Sequence, residues 1–432
     1  MDDDLADALA ERAVPLDEIG LSSWRPALTG VRVLGVGAAA HGTRELLELG
    51  VRLVEFAVED LGTRVVALGA SEAGATVVDA AVRGTGLPGD AVAALGGWEY
   101  DTREVVELVS RLRDHNELLP PAERIRVVGV DPVRPAPSVR ALGAYLRATA
   151  PDLLPAARDG LADLLDREPD ARPLPGRVRD AVVGLHERMV ADEARLVAES
   201  APGPYAEALR HAWILARAAE VACAARVREP RSEAEAEALP PESAPVLRAR
   251  LAAEAVGRAA EAVDEAAGRA AEAVDQAAEA GDGTPAVVFW GHDDQVRVGD
   301  PTTVGRHLRA ALGEGYYAIG GLFGEGGSSA IRRRLLRAVR PRPTTFRLPP
   351  MADTAEADLR TALGDDGERL VDLRAARGAD GPVARWAGAR TTTRRLGAVV
   401  DSGQLRGRTP LVPGDEFDAL AHVPRVHPAW IR

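Results

Sequence analysis

Apolar positions follow two alternating rhythms along this chain. Short β-branched runs recur, and each is followed by a stretch where apolar side chains return every three or four positions. The first run is Val31–Gly37, and its amphipathic successor spans Arg44–Leu61. Arg64–Leu68 precedes a small-residue helix over Ala73–Val82. A helix is predicted near Thr102–Asn116, and Ile125–Asp131 is the third strand candidate. Strands alternating with helices predict a parallel sheet. Open sheets of this kind carry functional side chains at the C-terminal ends of their strands.

From about Ala136 to Ala280 the strand rhythm stops and only helical periodicity persists, broken by proline-rich hinges near Pro169–Pro175 and Pro240–Pro245. The two rhythms resume at Ala286–His292. They continue through a helix near Thr303–Leu312, the run Tyr316–Gly324, Thr344–Leu348, a helix near Thr354–Leu363, Arg369–Leu373, Gly397–Asp401 and Phe417–Val426. The expected fold is α/β, a mostly parallel central sheet flanked by helices with an inserted helical subdomain. Residues 1–135 form the first half of the core, 136–282 the insertion and 283–432 the second half.

Within the insertion, GRAAEAVDEAA from Gly257 is followed by GRAAEAVDQAA from Gly268. An 11-residue repeat makes three turns at about 3.67 residues per turn, so one helix face stays nearly constant. Val263 and Val274 share one stripe, and Glu261 and Glu272 share another. Two readings stand: a partner-binding or lid helix, or a solvated helix expanded by repeat slippage.

Composition narrows the chemistry. All 53 basic residues are arginine, so the chain has no lysine. That excludes Schiff-base catalysis, a P-loop and a kinase strand lysine. A single cysteine, Cys223, excludes an internal disulfide and a cysteine-rich metal centre. The high alanine content and the single asparagine, Asn116, match GC-rich coding, so part of the missing lysine is compositional bias. The net charge of −13 argues against nucleic acid or an anionic membrane as partner. The acidic start MDDDLADALAERAV does not resemble a signal or transit peptide, and no apolar run is long enough to span a bilayer. The expectation is a soluble cytoplasmic protein.

Acid/base work then falls to His, Asp, Glu, Arg and Tyr. The first strand runs into Gly35-Val-Gly-Ala-Ala-Ala-His41-Gly-Thr-Arg44-Glu45, with Thr43 placed to cap the next helix. The fourth strand ends in Trp290-Gly-His292-Asp293-Asp294-Gln295. Two histidines at the ends of central strands can converge over one crevice and serve as base and acid, with Asp293 or Asp294 orienting a ring. Asp131 ends another strand and faces the same way, or simply forms a turn before Pro132. His422 could reach a strand-end site. Gly-rich loops are predicted at Gly320–Gly327 and Gly96–Gly97. The first glycine turn is a poor dinucleotide fingerprint, and no metal-binding spacing is present, so no cofactor or metal is expected.

These motifs resemble the erythromycin esterase family. The segment ending His41-Gly-Thr-Arg-Glu45 is similar to that family's Gly-Glu-Ala-Thr-His-Gly-(Ser/Thr)-x-Glu signature. Trp98–Glu104, Val128–Asp131, Trp290–His292, Tyr316–Gly326 and Phe417–Pro424 resemble further segments in the family's order. The resemblance implies an α/β core with a helical subdomain and hydrolysis by a histidine-activated water. It implies His41 as general base, His292 as the second catalytic or binding histidine, and Arg44, Glu45, Glu72, Asp131, Asp293 and Asp294 as substrate-binding or supporting groups. The departures are local. Ala38 stands for the signature glutamate, Ala40 for its threonine, Gly69 for a strand-end glutamate, Gly50 for a basic residue, and Asp293 and Gln295 for an Asn and a second His. The expectation is a hydrolase of a macrolide or other ester or lactone natural product. Two alternatives stay open: a repurposed relative running elimination, cyclisation or isomerisation in natural-product biosynthesis, or a non-catalytic binding relative. The expected partner is a bulky small-molecule or peptide natural product.

Overall fold

The computed structural model describes residues 3–274, 284–333 and 342–432 apart from positions 166, 170, 229, 231 and 402, with side chains 233 and 267–274 also undescribed. The strands are β1 (Ala13–Pro15), β2 (Val33–Val36), β3 (Val65–Ser71), β4 (Arg126–Asp131), β5 (Val287–Trp290), β6 (Tyr316–Arg332), β7 (Thr344–Leu348), β8 (Arg369–Asp372), β9 (Thr391–Thr393), β10 (Val399–Val400), β11 (Thr409–Leu411) and β12 (Ala419–Val426). Ten of them form one sheet whose main path is β1-β8-β12-β6-β2-β5-β3-β4; β7 and β10 pair with β6 off that path. The neighbours from β12 through β4 are all parallel, while β8 and β1 close one edge antiparallel. Strands β2, β3 and β5 are buried along their whole length. Helices on both faces require this, and it explains why these strands read as continuous apolar runs.

The order places the site. β5 comes after the long helical stretch in sequence yet lies between β2 and β3. Its register sets Val36 beside Trp290. Residues that leave β2 and β5 at their C-terminal ends are therefore neighbours in space, although some 250 positions separate them in the chain.

Between β4 and β5, four helices (Ala136–Thr149, Leu154–Leu165, Gly176–Ala191 and Pro202–Cys223) enclose a second apolar cluster built on Leu142, Leu164, Leu185 and Leu215. The next long helix, Ala244–Val274, instead packs Ala252, Val256 and Ala260 into the core of the sheet. In the first copy of the 11-residue repeat, Val263 is half-buried against that core, and Glu261 and Asp264 face outward. The side chains of the second copy, Val274 and Glu272 included, lie outside the described residues.

One expectation is corrected. The glycine-rich stretch Gly320–Gly327 lies inside the 17-residue strand β6 and is not a loop. Its glycines serve close approach: a Cβ at Gly321 would lie 2.5 Å from the Gly37 carbonyl oxygen, and one at Gly326 would lie 1.9 Å from that of Val426. The short edge strand β1 had no periodic signal, because three residues pair only with distant β8.

Candidate active site

β2 does not stop at Val36. The segment beyond it stays bonded on both sides, with Gly37 N–H donating to Ile319, Ala39 N–H to Gly321, and Ala38 accepting from Asp293. This flat exit delivers His41 to the mouth of the sheet. Thr43 occupies the N-cap of the helix Arg44–Glu59 as expected, but its hydroxyl donates to the Ala40 carbonyl and accepts no helix N–H. Gly42 is needed here, since a Cβ would meet the Ser329 carbonyl oxygen at 1.8 Å.

β5 ends in His292, which caps the short helix Asp293–Val296. The Gln295 side chain closes that turn by accepting from the His292 N–H at 3.1 Å. The His41 and His292 rings stack with centroids 4.6 Å apart and planes 25° from parallel. Tyr100 meets His41 edge-on at 6.3 Å. All three line a cleft of about 810 Å³.

The electrostatics separate the two imidazoles. Burial, reinforced by the neighbouring His292, lowers the His41 pKa to about 3, so it is neutral through the physiological range. Among the described residues nothing hydrogen-bonds its ring. Burial alone would lower His292 as well, but the hydrogen bond and charge of Asp294 outweigh it and raise its pKa. Its Nδ1 lies 3.4 Å from the Asp294 carboxylate, and its Nε2 lies 3.2 Å from the Leu396 carbonyl. Asp294 keeps 54% of its side chain open to the cleft. Enclosure by the walls would raise its carboxyl, but the His292 hydrogen bond and the Arg395 charge hold it far below the usual range. Arg395 is buried, 3.1 Å from Asp294 and 3.3 Å from Glu416. The surroundings therefore push the two rings apart, His41 toward the neutral form and His292 toward the protonated form beside Asp294.

The other candidates fall in different places. Asp131 lines the cleft, where Arg248 grips it through two nitrogens. Asp293 is fully buried below the histidines. It accepts from the Gly321 N–H, its second oxygen has no partner, and burial raises its pKa to about 7. Glu72 is buried against Arg217 at 3.2 Å and does not line the cleft. Arg44 and Glu45 also lie outside it. Glu45 binds the ring of His427 at 2.7 Å, and Arg44 stacks on Trp430 at 5.2 Å, so both anchor the C-terminal tail. His422 is fully buried within β12, with both ring nitrogens unpartnered.

Tyr100, Arg395 and Gln295 were not among the predicted site residues. Arg395 had one visible signal, an Arg-Arg pair after three threonines, because a buried guanidinium demands a carboxylate partner. Tyr100 had none of its own. Gln295 explains two departures at once. A Cβ at Gly69 would lie 2.3 Å from the Gln295 side-chain oxygen, and the Gln295 amide donates to the Gly69 carbonyl at 3.1 Å. The space of a strand-end side chain at position 69 is thus taken by Gln295. In the same way a Cβ at Gly50 would run into the Trp290 indole at 2.3 Å. Among the described residues no group of three or more His, Cys, Asp or Glu is placed to hold a metal, and no helix is long and apolar enough to cross a membrane.

The fold is a mostly parallel α/β sheet that brings two histidines together at the ends of two adjacent central strands, an arrangement able to perform acid/base chemistry. The chain belongs to the erythromycin esterase family, whose model matches residues 58–426. The His41 segment precedes the matched span, so its placement rests on the geometry. Three solved structures share the fold. A succinoglycan biosynthesis protein superposes with a TM-score of 0.72 at 17% identity, covering 100% of this chain and 98% of that one. A Bacillus cereus protein does so at 0.71 and 17%, covering 100% and 99%. A mutant of the erythromycin esterase EreC in its open conformation reaches 0.61 at 14%, covering 96% and 98%. No curated protein sequence matches the chain.

Proposed function

We propose that the protein is a hydrolase that cleaves an ester or lactone with a water activated by His41. The observation that carries the reading is the stacked pair of imidazoles at the cleft, His41 without a partner among the described residues and His292 beside the Asp294 carboxylate, which favours its protonated form. In the forward step His41 takes a proton from water as the oxygen attacks the acyl carbon. The Tyr100 hydroxyl, unpartnered and kept protonated by burial, donates to the developing oxyanion. The carbon–oxygen bond then breaks, and His292 gives its proton to the leaving alkoxide. Loss of that proton removes the like charge that adds to the effect of burial on His41, and transfer of the proton that His41 took from water to His292 restores the starting state.

Fold and family support an ester or lactone natural product as substrate, and the cleft volume lies within the range of small-molecule sites. A panel of macrolides and simple esters, assayed by mass, tests this. Hydrolysis adds one water, and His41→Ala should lower turnover by about 10²–10⁴-fold. Unchanged turnover in that variant would remove the reading. Gln295 standing in the space of a carboxylate favours a second reading, proton transfer without net hydrolysis, for which the product mass would equal that of the substrate.

A further inference from the structure

A second hollow of about 360 Å³ opens beside the catalytic cleft, where the helical block meets the turn after β4. Among the described residues that line it, five are arginines (Arg134, Arg167, Arg226, Arg228 and Arg248) and one is acidic, Glu168. Arg134 and Arg248 also line the catalytic cleft, so the two spaces share a wall.

Arg134 is the residue on which the argument turns. Its backbone is left-handed at φ 53°, a conformation that costs a non-glycine residue free energy and concentrates at ligand sites. Ser71 holds its carbonyl with a hydrogen bond of 3.2 Å. Its side chain lies over Gly96, where a Cβ would come within 2.9 Å of the Arg134 Cδ. Among the described residues its guanidinium has no carboxylate or hydrogen-bond partner. Elsewhere on the lining, Arg167 reaches only backbone carbonyls, those of Ala171, Arg172 and Ala222. Burial and the like charge of Arg226 both work against its protonated form. Arg248 is already paired with Asp131, so the uncompensated charge is that of Arg134 and Arg167, and two guanidiniums facing one space gain free energy when an anion enters.

We propose that this hollow binds an anionic group, a phosphate or carboxylate arm of the molecule whose reacting carbonyl lies at His41 and His292. Arg134 meets that arm where the hollow joins the cleft, and Arg167 meets it from the helical block. The substrate is then an acidic ester, one that places a phosphate or carboxylate away from the bond to be cleaved. The claim rests on the hydrolase reading for the reacting bond, and on the hollow alone for the anion.

Calorimetric titration of the full-length protein with inorganic phosphate, and separately with acetate, tests the anion site without turnover. Saturable binding that weakens with added salt is expected, and the tighter of the two anions identifies the arm. Arg134→Gln and Arg167→Gln should each weaken binding tenfold or more. Arg134→Lys should restore part of the loss, and the remote Arg111→Gln should change nothing, with circular dichroism confirming that each variant folds. Absence of saturable binding by the native protein, or equal affinity in Arg134→Gln and Arg167→Gln, overturns the proposal. In parallel, kcat/KM for an aryl ester with a distal carboxylate should exceed that of its neutral methyl-ester counterpart about tenfold, a preference lost in Arg134→Gln. Anion binding without turnover of either ester would sink the hydrolase reading and leave the site standing. Turnover of both esters at equal rates with no anion bound would do the reverse.

Discussion

The two histidines were legible because each lies just past the end of a strand, and α/β sheets expose residues at that position. The opposite shifts of their pKa values were not legible, because they depend on more than the strand ends themselves: on burial, on Asp294 in the adjoining turn and on Arg395 about a hundred positions on. The pH profile should show the consequence. Activity needs His41 neutral and His292 charged. Since His41 is pushed down to about 3 and His292 is raised above its ordinary 6.5, the acid limb should fall far below the imidazole range and the alkaline limb above 6.5. Asp294→Asn should move the alkaline limb to lower pH, because it removes the carboxylate that holds the proton on His292. A kcat/KM profile with an acid limb near 6.5 in the native protein would contradict the assignment. Tyr100→Phe tests the donor role in the same assay, with an expected loss in kcat of about 10²–10³-fold and little change in stability.

At the scale of elements, the strands on the sheet's central path stand out in the sequence as apolar runs, and most predicted spans match within a residue or two. The failures share a cause. β1 and the β9–β11 pair exist through long-range pairing of three-residue segments, and β6 is glycine-rich because neighbouring backbones approach it closely. Local propensity sees neither. The contacts that fasten the helical block to the sheet were equally hidden, and one of them is testable. Arg217, on the helix Pro202–Cys223, pairs with Glu72 at the end of β3, and both side chains are about 5% exposed. Burial raises the Glu72 pKa to about 7 even with the guanidinium beside it. Removing one member of a buried pair costs about 3–5 kcal/mol, because the other stays charged and uncompensated. Arg217→Met should therefore destabilise the protein by roughly that amount at pH 8.5. The loss should shrink at pH 5.5, where Glu72 escapes by taking up a proton. Urea unfolding at the two pH values checks this; an equal loss at both would show that stacking of the Arg217 guanidinium on Trp213, and not the Glu72 pair, carries the contact.

Over the whole molecule, buried ionisable groups pull the pH dependence of stability in opposite directions. Glu72 and Asp293 have carboxyl groups raised to about 7. The folded state binds their protons more tightly than the unfolded state does, so their contribution is lost as pH rises toward 7. His41 and His422 work the other way. Burial lowers the His422 pKa to about 4, with Asp365 and Arg360 nearby adding smaller opposing effects. The unfolded chain takes up a proton on His422 below about 6.5 while the folded one refuses it until about 4, so its contribution to stability falls as pH drops through that window. The opposing slopes flatten the native profile, which hides His422 from a single measurement. Comparison with His422→Phe exposes it, because the other groups cancel in the difference. Relative to that variant the native protein should lose up to about 3 kcal/mol between pH 6.5 and 4, a shift of about 2.5 units at ~1.4 kcal/mol each. The gap should stay constant above pH 7. Thermal or urea unfolding of both proteins across this range decides the matter: a stability difference that does not change with pH would mean that His422 charges freely inside the fold and is no buried, unpartnered ring.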